Sequence, residues 1–158
     1  MQRTILIALL LGSLIVTTAL FGAEQTDLHK THEMLMKGGQ MRDTRTELKL
    51  DEQMKVLQKT MMREHLSTLG EIIAALGAND LNRAAEIAKT KLGWNQAQDQ
   101  NCSMMSGGEK DFLTLGKAMH MKADEFSGAA KAGKREAALV TLSELINSCN
   151  ACHDKFRH

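Results

Sequence analysis

Cys149-Asn150-Ala151-Cys152-His153 stands close to the end of the 158-residue chain, with Phe156 and Arg157 just beyond. C-x-x-C-H is the attachment signature of c-type haem. Each thiol can add to one vinyl group of the porphyrin, and the adjacent imidazole is placed to bind iron from the proximal face. Positions 149, 152, 153 and 156 are i, i+3, i+4 and i+7, so a helix through them presents all four to one ligand. The plainer alternative is a disulfide or a pair of buried thiols. A thioredoxin-like use of C-x-x-C needs a βαβ setting and a helix N-terminus that lowers the thiol pKa. Here the motif closes a helical segment.

The opposite end of the chain agrees with haem. Arg3 precedes an apolar run from Ile5 to Val16, broken only by Gly12 and Ser13, and then come the small residues Thr17, Thr18 and Ala19. A positive end, a short apolar core and a small-residue zone are the layout of a secretory signal peptide. Residues 1–23 are read as that signal, with cleavage after Ala19 or Ala23, and the chain as periplasmic. A membrane span needs about 20 predominantly apolar residues, so membrane attachment is expected only if this segment is retained. Bacteria attach haem covalently outside the cytoplasm, so export and the C-x-x-C-H motif support each other.

Composition limits the remaining classes. Arg3 is the one charge in the signal, which leaves equal numbers of basic and acidic residues in the rest, from totals of 20 and 19. No basic block stands out and only four Phe and one Trp occur, so no nucleic-acid partner is expected. Proline is absent, which leaves helices uninterrupted. Ala, Leu, Lys, Glu and Met are plentiful and favour helix. The fold class is all-α.

Glycines and capping residues divide the chain. Residues 24–46 form a polar leader of uncertain order, and 47–158 form the domain. The first helix spans about Glu47 to Leu76, closed by Gly77. Asp80 caps a second, with Leu81, Ala84, Ala85 and Ala88 on one side, ending at Gly93. Trp94 to Gly107 read as a polar loop. A third helix runs from about Glu109 to Lys131, and Gly133 separates it from a fourth, Lys134 to Phe156. There Leu139, Leu142, Leu145, Ile146, Cys149, Cys152, His153 and Phe156 form one stripe. Four amphipathic helices with mostly short connections predict an antiparallel four-helix bundle, with one covalently bound haem near the C-terminus.

Most small c-type cytochromes carry C-x-x-C-H near the start of the mature chain; here it ends the last helix of the expected bundle. The chain thereby resembles the class II c-type cytochromes, the cytochrome c′ family. The resemblance is carried by Ser148-Cys149-Asn150-Ala151-Cys152-His153-Asp154-Lys155-Phe156-Arg157, and further by Met62-Arg63-Glu64-His65-Leu66, Ala74-Ala75-Leu76, Ala84 to Ala88, Gly116, Met119-His120 and Phe126. It implies haem c with its iron as cofactor, redox proteins of the periplasm as partners, and a homodimer formed through helices. In the family the distal side decides the chemistry. Cytochromes c′ proper leave iron five-coordinate and bind NO or CO, while their low-spin relatives place a methionine from the first helix on the sixth position and carry electrons.

At about 100° per residue, Leu66, Leu69, Ile73 and Leu76 define an apolar face on the first helix. Met62, His65 and Gln58 fall within that arc, and Met61 lies towards its edge. Met62 is read as the distal ligand, because a thioether is uncharged and raises the haem potential. His65 is the runner-up, with a buried, hydrogen-bonded imidazole as its ordinary role. His120 is read as a surface or propionate-contacting residue. Arg157 lies four positions after His153 and is read as covering the proximal haem face, against the plain alternative of a solvated helix-end charge.

One rival comes from another class. His29, His32, Met34, Met36 and Met41 in the leader, with Met104, Met105, Met119 and Met121 later, are soft ligands suited to copper(I). Cys102, the odd cysteine, sits in the expected loop and invites an intermolecular disulfide or modification. No Gly-rich phosphate loop, Ser-His-Asp order or paired-carboxylate site stands out, so no enzymatic activity is expected.

Overall fold

A computed structural model describes residues 29–38 and 42–158. The signal segment and Met41 lie outside the described residues. The chain divides into two compact units, Met1–Thr44 and Arg45–His158. In the first, residues 29–36 are helical and mostly exposed. The second carries everything that follows, and it is predominantly helical, as the composition requires. Among the described residues no helix is long and apolar enough to cross a membrane.

The first long helix, α1, spans Glu52–Gly77. Asp51 starts it by accepting a hydrogen bond from the Met54 amide at 2.8 Å, which satisfies an otherwise orphaned N–H of the first turn. Its stop differs from the expectation. Gly77 is the last helical residue, and Asn79 takes the left-handed conformation at φ 59°, a region asparagine tolerates better than most residues. Arg135 donates to the Leu76 carbonyl at 3.1 Å and to Asn79 Oδ1 at 3.2 Å, tying this end down from the last helix. Asp80 caps α2, Leu81–Ile87, through the Arg83 amide, and a single π turn follows over Ala88–Leu92.

Residues 94–107 are not the irregular loop that the sequence predicts. Gln96–Met105 form a helix, α3, capped by Asn95, whose side chain accepts from the Gln98 amide at 3.0 Å. Its sequence lacks an apolar stripe because it buries little more than Cys102 and Met105. Two long helices complete the domain: α4, Lys110–Lys131, and α5, Arg135–Lys155. Gly133 at φ 72° makes the turn between them.

α4 and α5 pack along each other, whereas α1 and α5 have almost no close backbone approach. The larger core has Ile72, Ala84, Ala123, Phe126 and Leu145 fully buried. Alanines on α2 and α4 let these helices approach closely around Phe126. A smaller core consists of Leu48, Met105, Phe112 and Phe156. There, a two-residue parallel bridge pairs β1, Thr46–Glu47, with β2, Phe156–Arg157.

Two expected apolar faces hold except at single positions, Leu76, Leu142, Leu145 and Phe156 being buried while Leu69 and Ile146 pack on the larger core. Leu66 and Ile73 are 70% and 53% exposed, and the buried line on α1 runs through Gln58, Thr68, Ile72, Ala75 and Leu76. On α5, Leu139 is exposed and Ala138 takes the buried position.

Candidate cofactor site

α5 delivers Cys149, Cys152 and His153 to a cavity of about 530 Å³ between the two cores, a size within the range of about 300–1,000 Å³ common to small-molecule sites. α1 faces them across the gap with Gln58, Met61, Met62, His65 and Leu69. The gap follows from the packing: α5 lies along α4 and leaves α1 at a distance, so the two helices with the candidate ligands line opposite sides of one space. Cys149 packs against the larger core and Cys152 against the smaller, so the motif spans both.

Both predicted distal candidates line this cavity. Met62 is half-buried there. His65 is also half-buried, and its pKa is pulled down to about 4, first by burial and then by His120 and His153. Burial raises the thiols as well: Cys149 lies above its ordinary value, and Cys152 rises to about 11, with Cys149 and Cys102 adding to the effect. Protonated thiols of this kind lack the thiolate character of a redox-active C-x-x-C.

Three assignments change. His120 is not a surface residue. It is 2% exposed, lines the cavity, and holds the Leu92 carbonyl through Nδ1 at 2.6 Å, while burial lowers its pKa. Its ring meets His65 edge-on at 5.6 Å between centroids and lies 5.9 Å from Trp94. Cys102 is not in an exposed loop. It is buried on α3, lines the same cavity, and its thiol is raised to about 11, chiefly by burial. A Cβ on Gly116 would come within 3.0 Å of its sulfur; the glycine gives it room. Arg157 does not follow His153 by a helical turn, because the helix ends at Lys155. Its guanidinium pairs with Glu47 at 2.7 Å, and it is not among the residues lining the cavity.

The sequence reading missed a polar set in these walls. Gln58 Oε1, Gln98 Oε1 and His158 Nε2 are buried without a hydrogen-bond partner, and all three side chains line the cavity. Gln98 had a readable signal, since Asn followed three residues later by Gln marks a helix start. Gln58 had one in its place on the inward-facing arc of α1, and His158 had none, because it belongs to no motif. Apolar walls, two thiols, an imidazole and a few unmet polar groups fit a largely apolar ligand with polar atoms at its periphery.

The copper candidates divide between the units. His29, His32, Met34 and Met36 are exposed on the helical segment 29–36. Met104 and Met121 are exposed, whereas Met105 and Met119 are buried in the cavity wall. Among the described residues no three His, Cys, Asp or Glu side chains converge on a metal position. No protein-family model, curated protein or solved structure matched this chain.

Proposed function

We propose that this chain is a c-type cytochrome of the class II kind: an exported four-helix-bundle protein that carries electrons through one covalently attached haem. The observation that supports it best is the cavity itself. Both thiols and the imidazole of Cys149-x-x-Cys152-His153 line it, and Met62 and His65 line it from the helix across the gap. Short helix α3 is then an insertion beside a bundle of α1, α2, α4 and α5.

In this reading each thiol S–H adds across a vinyl double bond, forming one C–S and one C–H bond without net oxidation. The haem supplies a reversible one-electron iron couple. His153 would hold the iron from α5 and Met62 from α1, with His65 as the alternative. Leu69, Phe112, Leu115 and Ile146 give the cavity mainly apolar walls. An iron held from both α5 and α1 would change little on reduction, which suits a carrier whose partners are other periplasmic redox proteins.

A second reading, a five-coordinate protein binding NO or CO, keeps the same proximal side and leaves Met62 as packing. Visible and near-infrared spectra of the purified oxidised and reduced protein separate them. A low-spin haem with the weak near-infrared band of an iron–thioether bond supports the carrier. A high-spin haem that takes up carbon monoxide overturns it in favour of gas binding. Copper(I) titration of haem-free protein tests the remaining rival, which absence of tight binding removes.

A further inference from the structure

The unmet polar atoms are not scattered evenly through the cavity wall. Gln98 lies on α3, while Gln58 and His158 belong to the end where α1 begins and the chain leaves α5. Gln58 is 2% exposed, in a stretch of wall otherwise formed by Leu48, Met61 and Phe156. Buried polar groups without partners are rare in folded proteins, and two of them at one end of an apolar cavity call for a ligand group that answers both.

The charge around this corner says which kind. Burial lowers the pKa of His158, and Lys59, Lys55, His153 and Arg45 lower it further. Lys55 is engaged by Glu52 at 2.8 Å. A neutral imidazole offers one N–H, and a glutamine amide turned about its last torsion offers its NH2 in place of its oxygen. Two hydrogen-bond donors with Lys55, Lys59 and Arg45 close enough to act on His158 suit an anion that accepts hydrogen bonds. A haem carries two such groups, its propionate carboxylates.

We propose that His158 and Gln58 bind one carboxylate of the haem, His158 donating from Nε2 and Gln58 from its amide. This assignment rests on the haem reading above and gives the haem a fixed orientation in its plane, one carboxylate at the α1 start and the thioethers at Cys149 and Cys152. The lysines and Arg45 stabilise the carboxylate through space.

The test compares the full, haem-loaded protein with His158→Ala, His158→Gln and Gln58→Leu by resonance Raman spectroscopy and redox titration. His158→Ala and Gln58→Leu should each move the propionate bending band and shift the reduction potential, while the bands that report iron spin and coordination stay in place. His158→Gln, which keeps a donor, should restore much of the wild-type propionate band. If His158→Ala does not fold, Gln58→Leu gives the same reading. Propionate bands unmoved in the folded variants overturn the assignment alone. A wild-type chain without covalent haem overturns both the assignment and the reading beneath it.

Discussion

At the scale of single residues, the sequence places Cys149, Cys152, His153, Met62 and His65 on the walls of one cavity, and they do line it. Cys149, Cys152 and His153 announce themselves, and Met62 and His65 follow from helical geometry once α1 is placed. His120, Cys102 and Arg157 were misplaced for a different reason: their roles depend on where neighbouring elements end. Replacing Met62 with Ala should abolish the near-infrared iron–thioether band and open the iron to carbon monoxide; a band that persists would move the distal assignment to another residue. The buried imidazoles give a pH dependence of known sign. Burial sets His65 near pKa 4 and lowers His120, whereas in the unfolded chain both titrate at about 6.5. Between those values the unfolded state binds more protons, so stability present above about 6.5 falls as pH drops towards 4 and then levels off. Urea midpoints measured across this range should show the loss, and His120→Gln should flatten it.

The elements were read well where apolar periodicity is strong and poorly where caps decide. α4 and α5 appeared within about a residue or two of their ends, since Gly133 and the long stripes leave little freedom. α3 was hidden because a polar helix that buries one or two side chains has no stripe to read. The end of α5 was extended too far, because Phe156 continues the helical spacing but is drawn into the smaller core as a strand partner of β1. Two expectations belong to this scale. Asp80→Ala should remove the α2 cap and cost about 1 kcal/mol in thermal or denaturant unfolding; an unchanged midpoint would contradict the capping role. Gly116→Ala places a methyl carbon against Cys102 where α3 meets α4. Its effect on stability should be less favourable in the wild-type background than in the Cys102→Ala background, a coupling that a double-mutant cycle measures directly. Additive effects would mean that the two helices do not share that contact.

For the molecule as a whole, the all-α class followed from composition, while the cavity did not. It exists because α5 follows α4 and stands away from α1, a consequence of alanine-rich contacts that periodicity cannot express. The cavity has the motif on one wall and the candidate distal side chains on the other, an arrangement that the proposed haem would complete. The most direct test is the intact mass of the full chain produced in a cell that attaches c-type haem, measured with and without acid–acetone extraction. The account predicts a polypeptide carrying one haem increment that survives extraction and disappears in a Cys149→Ser, Cys152→Ser double variant. A folded wild-type protein with the mass of polypeptide alone, or one whose haem washes out, would contradict it.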